Sequence, residues 1–346
     1  MNDRRLRTLS LALWLVACGK GDDQAQNARI EREMKQWLTK NVRDLQAATR
    51  DLQAAAPTPS GRGWSASEDA VALQTMKDAW GRARRSYELV EGALAPLFPD
   101  SDLATDARYD DFLTTLGAAG DSAPFDGQGV MGMHAIERIL WADSVPKEAV
   151  DFESSLPGYR PATFPATESE ARDFKQKLAA KLVNDAQKLE QQLSPLELDI
   201  AFAFRGLIDL TNEQREKVDR SATGREESRY AQTTLRDLRA NRDGCLSAYE
   251  IFRPWLVARG HSELDQQVLA AFERLKVSYD AVPGAAIPHP PAGWSSLEPR
   301  PAQLSTPFGK LFQVVSQETD DQAPGSLSAS LMNVADALSL PKAVLR

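Results

Sequence analysis

Residues 30–52 read IEREMKQWLTKNVRDLQAATRDL, with apolar side chains at Ile30, Met34, Trp37, Leu38, Val42, Leu45 and Leu52. Steps of three and four hold these side chains on one face of a 3.6-residue turn, so the spacing predicts an amphipathic helix over about 27–55. The same period continues outward. Beyond the break from Pro57 to Gly63, Ser65 with Glu68 three later reads as a capping box. Val71, Met76, Trp80, Tyr87, Val90 and Leu94 then carry one helix to about Leu97, where Pro99 stops it. A third helix is expected over 129–142. A fourth opens at Thr167, capped with Glu170, and buries Phe174, Leu178, Leu182, Leu189 and Leu193.

After Pro195 the pattern resumes over about 197–219, 225–257 and 262–281, and more weakly over 307–318 and 325–340. Residues 283–307 hold seven of the twenty Pro and read as a long irregular connection. No run alternates with period two over five or more residues. The expected fold is all-α, two up-and-down helical bundles over 27–195 and 196–346, joined near residue 195.

The 346 residues, 42% hydrophobic and 26% charged, exclude disorder, collagen and a coiled-coil fibre. Two Cys and three His are too few for a zinc finger, an iron–sulfur ligand set or a disulfide framework, so a metal site here must lean on carboxylates. Lys+Arg 41 against Asp+Glu 49 gives a net charge of −8, which argues against a nucleic-acid partner.

The first seventeen residues read as an export signal: Arg4, Arg5 and Arg7 precede the apolar stretch Leu9–Ala17, which is too short to span a bilayer. It ends Leu15-Val16-Ala17-Cys18, which resembles the lipobox of bacterial lipoproteins. Cys18 is then the lipidated residue that tethers the chain to a membrane through residues 18–26. Loss of residues 1–17 removes three Arg and one Asp, taking the net charge from −8 to −10. The expected location is the periplasmic face of the inner or outer membrane, or the cell surface.

His134 and Glu137 lie three apart in Gly132-Met133-His134-Ala135-Ile136-Glu137 and share a helix face, where imidazole and carboxylate can hold one cation or simply pair with each other. Glu88 and Glu91 share a face of the preceding helix, with Arg84 placed to neutralise Glu88. Asp102, Asp106, Arg108, Asp110 and Asp111 crowd the connection between the two helices.

These residues carry a resemblance. The segment GMHAIERILW resembles the Gly-x-His-x-x-Glu signature of the imelysin family, which includes the EfeO-like components of bacterial iron uptake and is also classed as a peptidase family. AWGRARRSYELVEGAL and DARYDDF resemble the segments before that signature, and GYRPATFPAT the loop after it. GREESRYAQTTLRDLRANRDGCLSAYEIFRPWL resembles the family's second conserved block. The resemblance implies duplicated four-helix bundles and a metal site whose ligands are His134, Glu137, Glu91 and Asp106. Glu88, Tyr87, Arg84 and Arg108 would orient or neutralise them.

One imidazole with three carboxylates suits a divalent or ferric ion. Iron is implied first, with zinc, manganese or copper as other candidates, delivered to an inner-membrane metal transporter. A metallopeptidase with Glu88 as general base is the alternative, although no HExxH is present; a haem protein with His134 as axial ligand is a further one. In the second block, Glu226, Glu227, Arg229, Tyr230, Thr233, Asp237 and Asn241 match the family pattern, but no His is there for a second equivalent site, and Arg229 and Asp237 read as structural. Nothing resembles the cupredoxin-like domain that EfeO-type members often carry, which implies that metal comes from a partner. Cys245 is expected to be an inert buried thiol, and His261 and His289 to lie outside the site.

Overall fold

The computed structural model describes residues 6–221 and 223–340, with side chains from Asp23 onward. Among the described residues the regular elements are helical and no strand occurs, so the chain is all-α. In chain order these are α1 (Leu6–Ala55), α2 (Ala70–Glu88), α3 (Glu91–Leu94), α4 (Pro99–Asp106), α5 (Tyr109–Leu116), α6 (Gly132–Leu140), α7 (Lys147–Glu153) and α8 (Glu168–Asp173). There follow α9 (Ala179–Leu193), α10 (Ile200–Ser221), α11 (Thr234–Ala258), α12 (Ser262–Asp280), α13 (Pro301–Leu304), α14 (Pro307–Glu318) and α15 (Leu327–Ala337). None of the described helices is long and apolar enough to cross a membrane. The lipidation reading of Cys18 lies outside the described side chains.

The stripe Ile30, Met34, Leu38, Val42, Leu45 and Leu52 is completely or almost completely buried, and Trp37 packs at its edge. Each such aliphatic side chain contributes about 1.5–3 kcal/mol on leaving water. The stripe faces α2 and α9, while α10 packs on α11, and α12 on α11, α14 and α15. A contiguous apolar cluster runs from Ile30 through Phe204 and Phe252 to Leu340.

Three local features differ from the reading of the sequence. Ser65 Oγ does accept from the Glu68 amide at 3.3 Å, but Glu68 pairs with Arg62 rather than closing the box, and α2 begins only at Ala70 with Asp69 as N-cap. The predicted helix over 225–257 begins at Thr234; residues 223–233 form a loop held by a side-chain bond of its own, Gln232 Nε2 to Glu226 Oε1 at 2.6 Å, and by the start of α11, where Ser228 N donates to Thr234 Oγ1 at 3.1 Å. Finally, the helix expected to run unbroken from 65 to 97 breaks at Leu89-Val90. The apolar period continues across the break, so periodicity does not reveal it.

The break has a tertiary cause. A Cβ added to Gly206 of α10 would lie 1.6 Å from the Gly92 carbonyl oxygen, and one added to Gly244 of α11 would lie 2.0 Å from the Leu89 carbonyl oxygen. Two helices of the second half thus press their bare backbone onto the α2–α3 corner. The Asn241 amide donates to the Glu88 carbonyl at 3.1 Å, replacing a bond interrupted by the break. The corner turns Glu88 and Glu91 inward. Elsewhere the expected capping box at Thr167 and Glu170 forms, and α8 passes through a π-turn, Phe174–Leu178, into α9. The Pro-rich connection is pinned by Arg239, which donates to the Gly284 carbonyl at 2.5 Å, and by Trp294 packed against Phe308 and Phe312.

Gly206→Val is therefore expected to lower stability by about 3 kcal/mol, at the upper end of overpacking costs because backbone must move. Gly81→Ala, whose new methyl would meet only the guanidinium tip of Arg236, should be neutral or slightly stabilising. Urea unfolding of the two variants beside the parent measures both; equal losses would show that the α2–α3 corner is not closely packed.

Candidate metal centre

Asp106, His134 and Glu227 offer an oxygen, a ring nitrogen and an oxygen that all lie within 4.8 Å of one another. Three separate segments bring them there. Gly132 adopts φ +85° at the start of α6, and a Cβ on it would sit 2.7 Å from the Thr105 carbonyl oxygen and 2.8 Å from that of Ala104. Only glycine lets the first turn of α6, which carries His134, nest against the end of α4, which carries Asp106. Glu227 comes from the 223–233 loop. Glu137 stitches that loop to α6, with Oε1 accepting from the Tyr230 amide at 3.0 Å and the Ala231 amide at 2.8 Å.

The other oxygen of Glu137 lies 2.7 Å from His134 Nδ1. A carboxylate there assigns the proton to Nδ1 and leaves Nε2 as a lone pair. Burial, reinforced by the charge of Arg84, pushes the His134 pKa below its ordinary value despite Glu137, so the ring is neutral at pH 7. Its Nε2 is buried, makes no hydrogen bond and faces Asp106 Oδ1 at 3.5 Å. That oxygen also accepts from Arg84, but the Nε2 lone pair has only another acceptor before it, an arrangement that a cation between the two resolves. One imidazole and two carboxylates are hard-to-borderline donors, suited to iron, manganese or zinc and poorly to cuprous copper.

Arg84 stands at the centre of the surrounding charge. Its guanidinium is completely buried and forms ion pairs with Glu88 and Asp106, with Glu227 at 2.7 Å and with Asp237 at 3.6 Å. Burial opposes its charge, but Glu88, Glu227 and Asp237 outweigh burial and hold the group protonated. Lys217, from α10, is the second buried cation, 2.9 Å from Glu227 and 3.3 Å from Glu91. Burial likewise works against ionised Glu227, and Lys217 with Arg84 prevails, holding its pKa well below the usual carboxylate range.

The residues expected around the site fall into distinct places. Glu137 is committed to His134 and the loop through both oxygens. Glu91 is tied to Lys217 and to the Asn241 amide, which donates to it at 2.8 Å, and lies outside the trio. Glu88, the base a peptidase would use, is completely buried with Arg84 and Lys217 beside it, and burial is the main reason its pKa is raised. The Tyr87 hydroxyl donates to Asp102, whose carboxyl burial pushes up to about 6. Arg108 pairs with Asp111 at 3.3 Å and, with Glu91, Asp106 and Glu227, lines a cavity of about 300 Å³. That cavity reaches the surface past Leu103, which is 62% exposed. Cys245 is buried, and burial pushes its thiol up to about 12, as befits an inert side chain. His261 precedes α12 and His289 lies in the Pro-rich connection, both outside the trio.

Arg229 and Asp237 hold the loop in place: Arg229 donates to Asp110 at 2.5 Å, and Asp237 accepts from Ser228 Oγ. Behind α6, the Trp80 indole donates to the Met133 carbonyl at 2.9 Å and meets Trp141 edge-on at 5.2 Å. Sequence reasoning did not assign Glu227 or Lys217 to the site. For Lys217 a signal existed: Leu207, Leu210, Gln214 and Val218 are spaced as the buried face of α10, and Lys217 falls on that face. Glu227 sits in a loop without period, 93 residues beyond His134 in sequence, and its one signal is its place in the segment that resembles the family's second conserved block.

Comparison with known proteins finds relatives over most of the chain. An Efem/EfeO family lipoprotein of Staphylococcus haemolyticus is 26% identical over 261 residues, 73% of this chain and 77% of that one. The iron uptake system component EfeO of Yersinia pseudotuberculosis is 27% identical over 200 residues, and that of an Escherichia coli O1:K1 strain 26% over 203. The matched region spans 42% and 43% of those two proteins, less than half of their length. The profile of the imelysin family matches residues 30–307, which include the whole site, and the chain belongs to that family.

Proposed function

We propose that this protein is an envelope-tethered lipoprotein of bacterial metal uptake, which captures iron as a divalent or ferric ion at Asp106, His134 and Glu227 and passes it to an inner-membrane transporter. The observation that carries the reading is the buried, unpartnered Nε2 of His134, directed at a carboxylate oxygen. Glu137 acts on the cation indirectly, by holding the imidazole tautomer and the Glu227 loop. The names of the relatives, an Efem/EfeO lipoprotein and EfeO iron uptake components, support iron as cargo and a membrane tether. Seven carboxylates line the cavity against Arg108, Lys217 and Arg220, so the site draws cations inward from the Leu103 side.

In this reading the residues do three things. Asp106 and the acidic wall of the cavity receive the cation. His134, already neutral and oriented, binds without first losing a proton. Arg84 and Lys217 keep the carboxylates apart from one another when no cargo is present, so the site need not rearrange on release.

Two expectations follow from this assignment. The purified protein should take up one equivalent of iron or Mn²⁺ by elemental analysis. That equivalent should be absent in His134→Ala and in Glu227→Gln, while Glu137→Gln weakens affinity by about 10–100-fold. Full metal content in both His134→Ala and Glu227→Gln would remove the site. For the tether, Cys18→Ser should move the protein from the membrane fraction to the soluble envelope fraction, and an unchanged distribution would rule out lipidation at that residue.

A further inference from the structure

The surroundings of Lys217 have the shape of a cation site that the chain fills for itself. Its ammonium lies 2.9 Å from Glu227 Oε2, 3.1 Å from Asn241 Oδ1, 3.3 Å from Glu91 Oε2 and 3.6 Å from Glu88 Oε2. These four oxygens come from the α2–α3 corner, the 223–233 loop and α11, and converge on one point. An ammonium has three protons to give. Four oxygens exceed that number, and the excess is visible on Glu88: it is completely buried, its Oε1 pairs with Arg84, and its Oε2, the oxygen turned toward Lys217, accepts no hydrogen bond. Three carboxylates and an amide oxygen around one point form a hard oxygen set, of the kind that holds a divalent metal.

Glu227 belongs to both this set and the trio with Asp106 and His134. Two cation positions sharing a carboxylate are the layout of a two-metal site.

We propose that Lys217 occupies the second position of a carboxylate-bridged pair of cation seats, so that the protein holds one exchangeable metal beside one tethered ammonium. The proposal rests on the reading of Asp106, His134 and Glu227 as the cargo seat. A tethered cation cannot dissociate, which limits the protein to a single metal. It also draws on the Glu227 charge that the cargo metal would otherwise share with Arg84 alone, which leaves the cargo more weakly held and easier to hand on. Lys217 is thereby a residue that sets stoichiometry and affinity without touching the cargo.

The test counts Mn²⁺ bound to the full chain, by elemental analysis and by isothermal titration with Mn²⁺ alone. The parent should bind one equivalent and Lys217→Gln two, with the first bound about tenfold more tightly than in the parent. Lys217→Gln combined with His134→Ala should retain one, held by Glu88, Glu91, Glu227 and Asn241. Should Lys217→Gln fail to fold, Lys217→Gln with Glu91→Gln removes one charge of each sign, keeps four oxygens, and is expected to bind two.

One equivalent in the parent and still only one in the folded Lys217 variants would overturn the second seat and leave the cargo seat standing. No metal in the parent, but one equivalent in Lys217→Gln with His134→Ala, would uphold the second seat and remove the cargo reading. No metal in any of the proteins would remove both.

Discussion

A guanidinium with no exposure to solvent is the constraint around which this molecule is arranged. Arg84 leaves water entirely, which would cost several kcal/mol unless its charge were answered on every side. Glu88 answers from one turn further along α2, Asp106 from the end of α4, Glu227 from the 223–233 loop, and Asp237 from the first turn of α11. Each of these segments is therefore fixed in position by the need to satisfy the same group. The trio of Asp106, His134 and Glu227 borrows two of the four, Asp106 and Glu227, so the geometry that stabilises the buried charge also gathers the donors that could face a cation.

Reaching that arrangement requires backbones to approach closely, and glycine supplies the room. Gly132 lets α4 and α6 meet, which sets the spacing between Asp106 and His134; Gly206 and Gly244 let α10 and α11 press on the α2–α3 corner, which turns Glu88 and Glu91 inward. The two halves of the chain are joined by polar contacts at the site and by apolar packing around it. Lys217, Glu227, Asp237 and Asn241 come from the second half, while Arg84, Glu91, Asp106 and His134 come from the first.

How far this could be read beforehand depended on whether a residue's role follows from its neighbours in sequence. The helix at 30–52 was legible because burial imposes a period, and the Thr167 cap because its two partners are three residues apart. Spacing offers a His134–Glu137 pair and sets Arg84 beside Glu88; the roles of His134 and Asp106 as ligands come from resemblance to a family. The break at Leu89-Val90 left no trace, since Val90, Ala93 and Leu94 continue the apolar pattern and the cause lies on α10 and α11. Lys217 was passed over because a lysine is solvated by default. Its place on the buried face of α10 is legible, but what lets a charge sit there, three carboxylates from elsewhere in the chain, is not.

The bond from the Trp80 indole to the Met133 carbonyl has a consequence for how the protein is observed. The carbonyl belongs to the residue immediately before His134, and the indole is completely enclosed beside Trp141. Indole emission depends on the hydrogen bond made by its N–H and on nearby charge, so the optical spectrum of the unlabelled chain is sensitive to the first turn of α6. Any shift of that turn is thus reported by a chromophore that the fold itself provides.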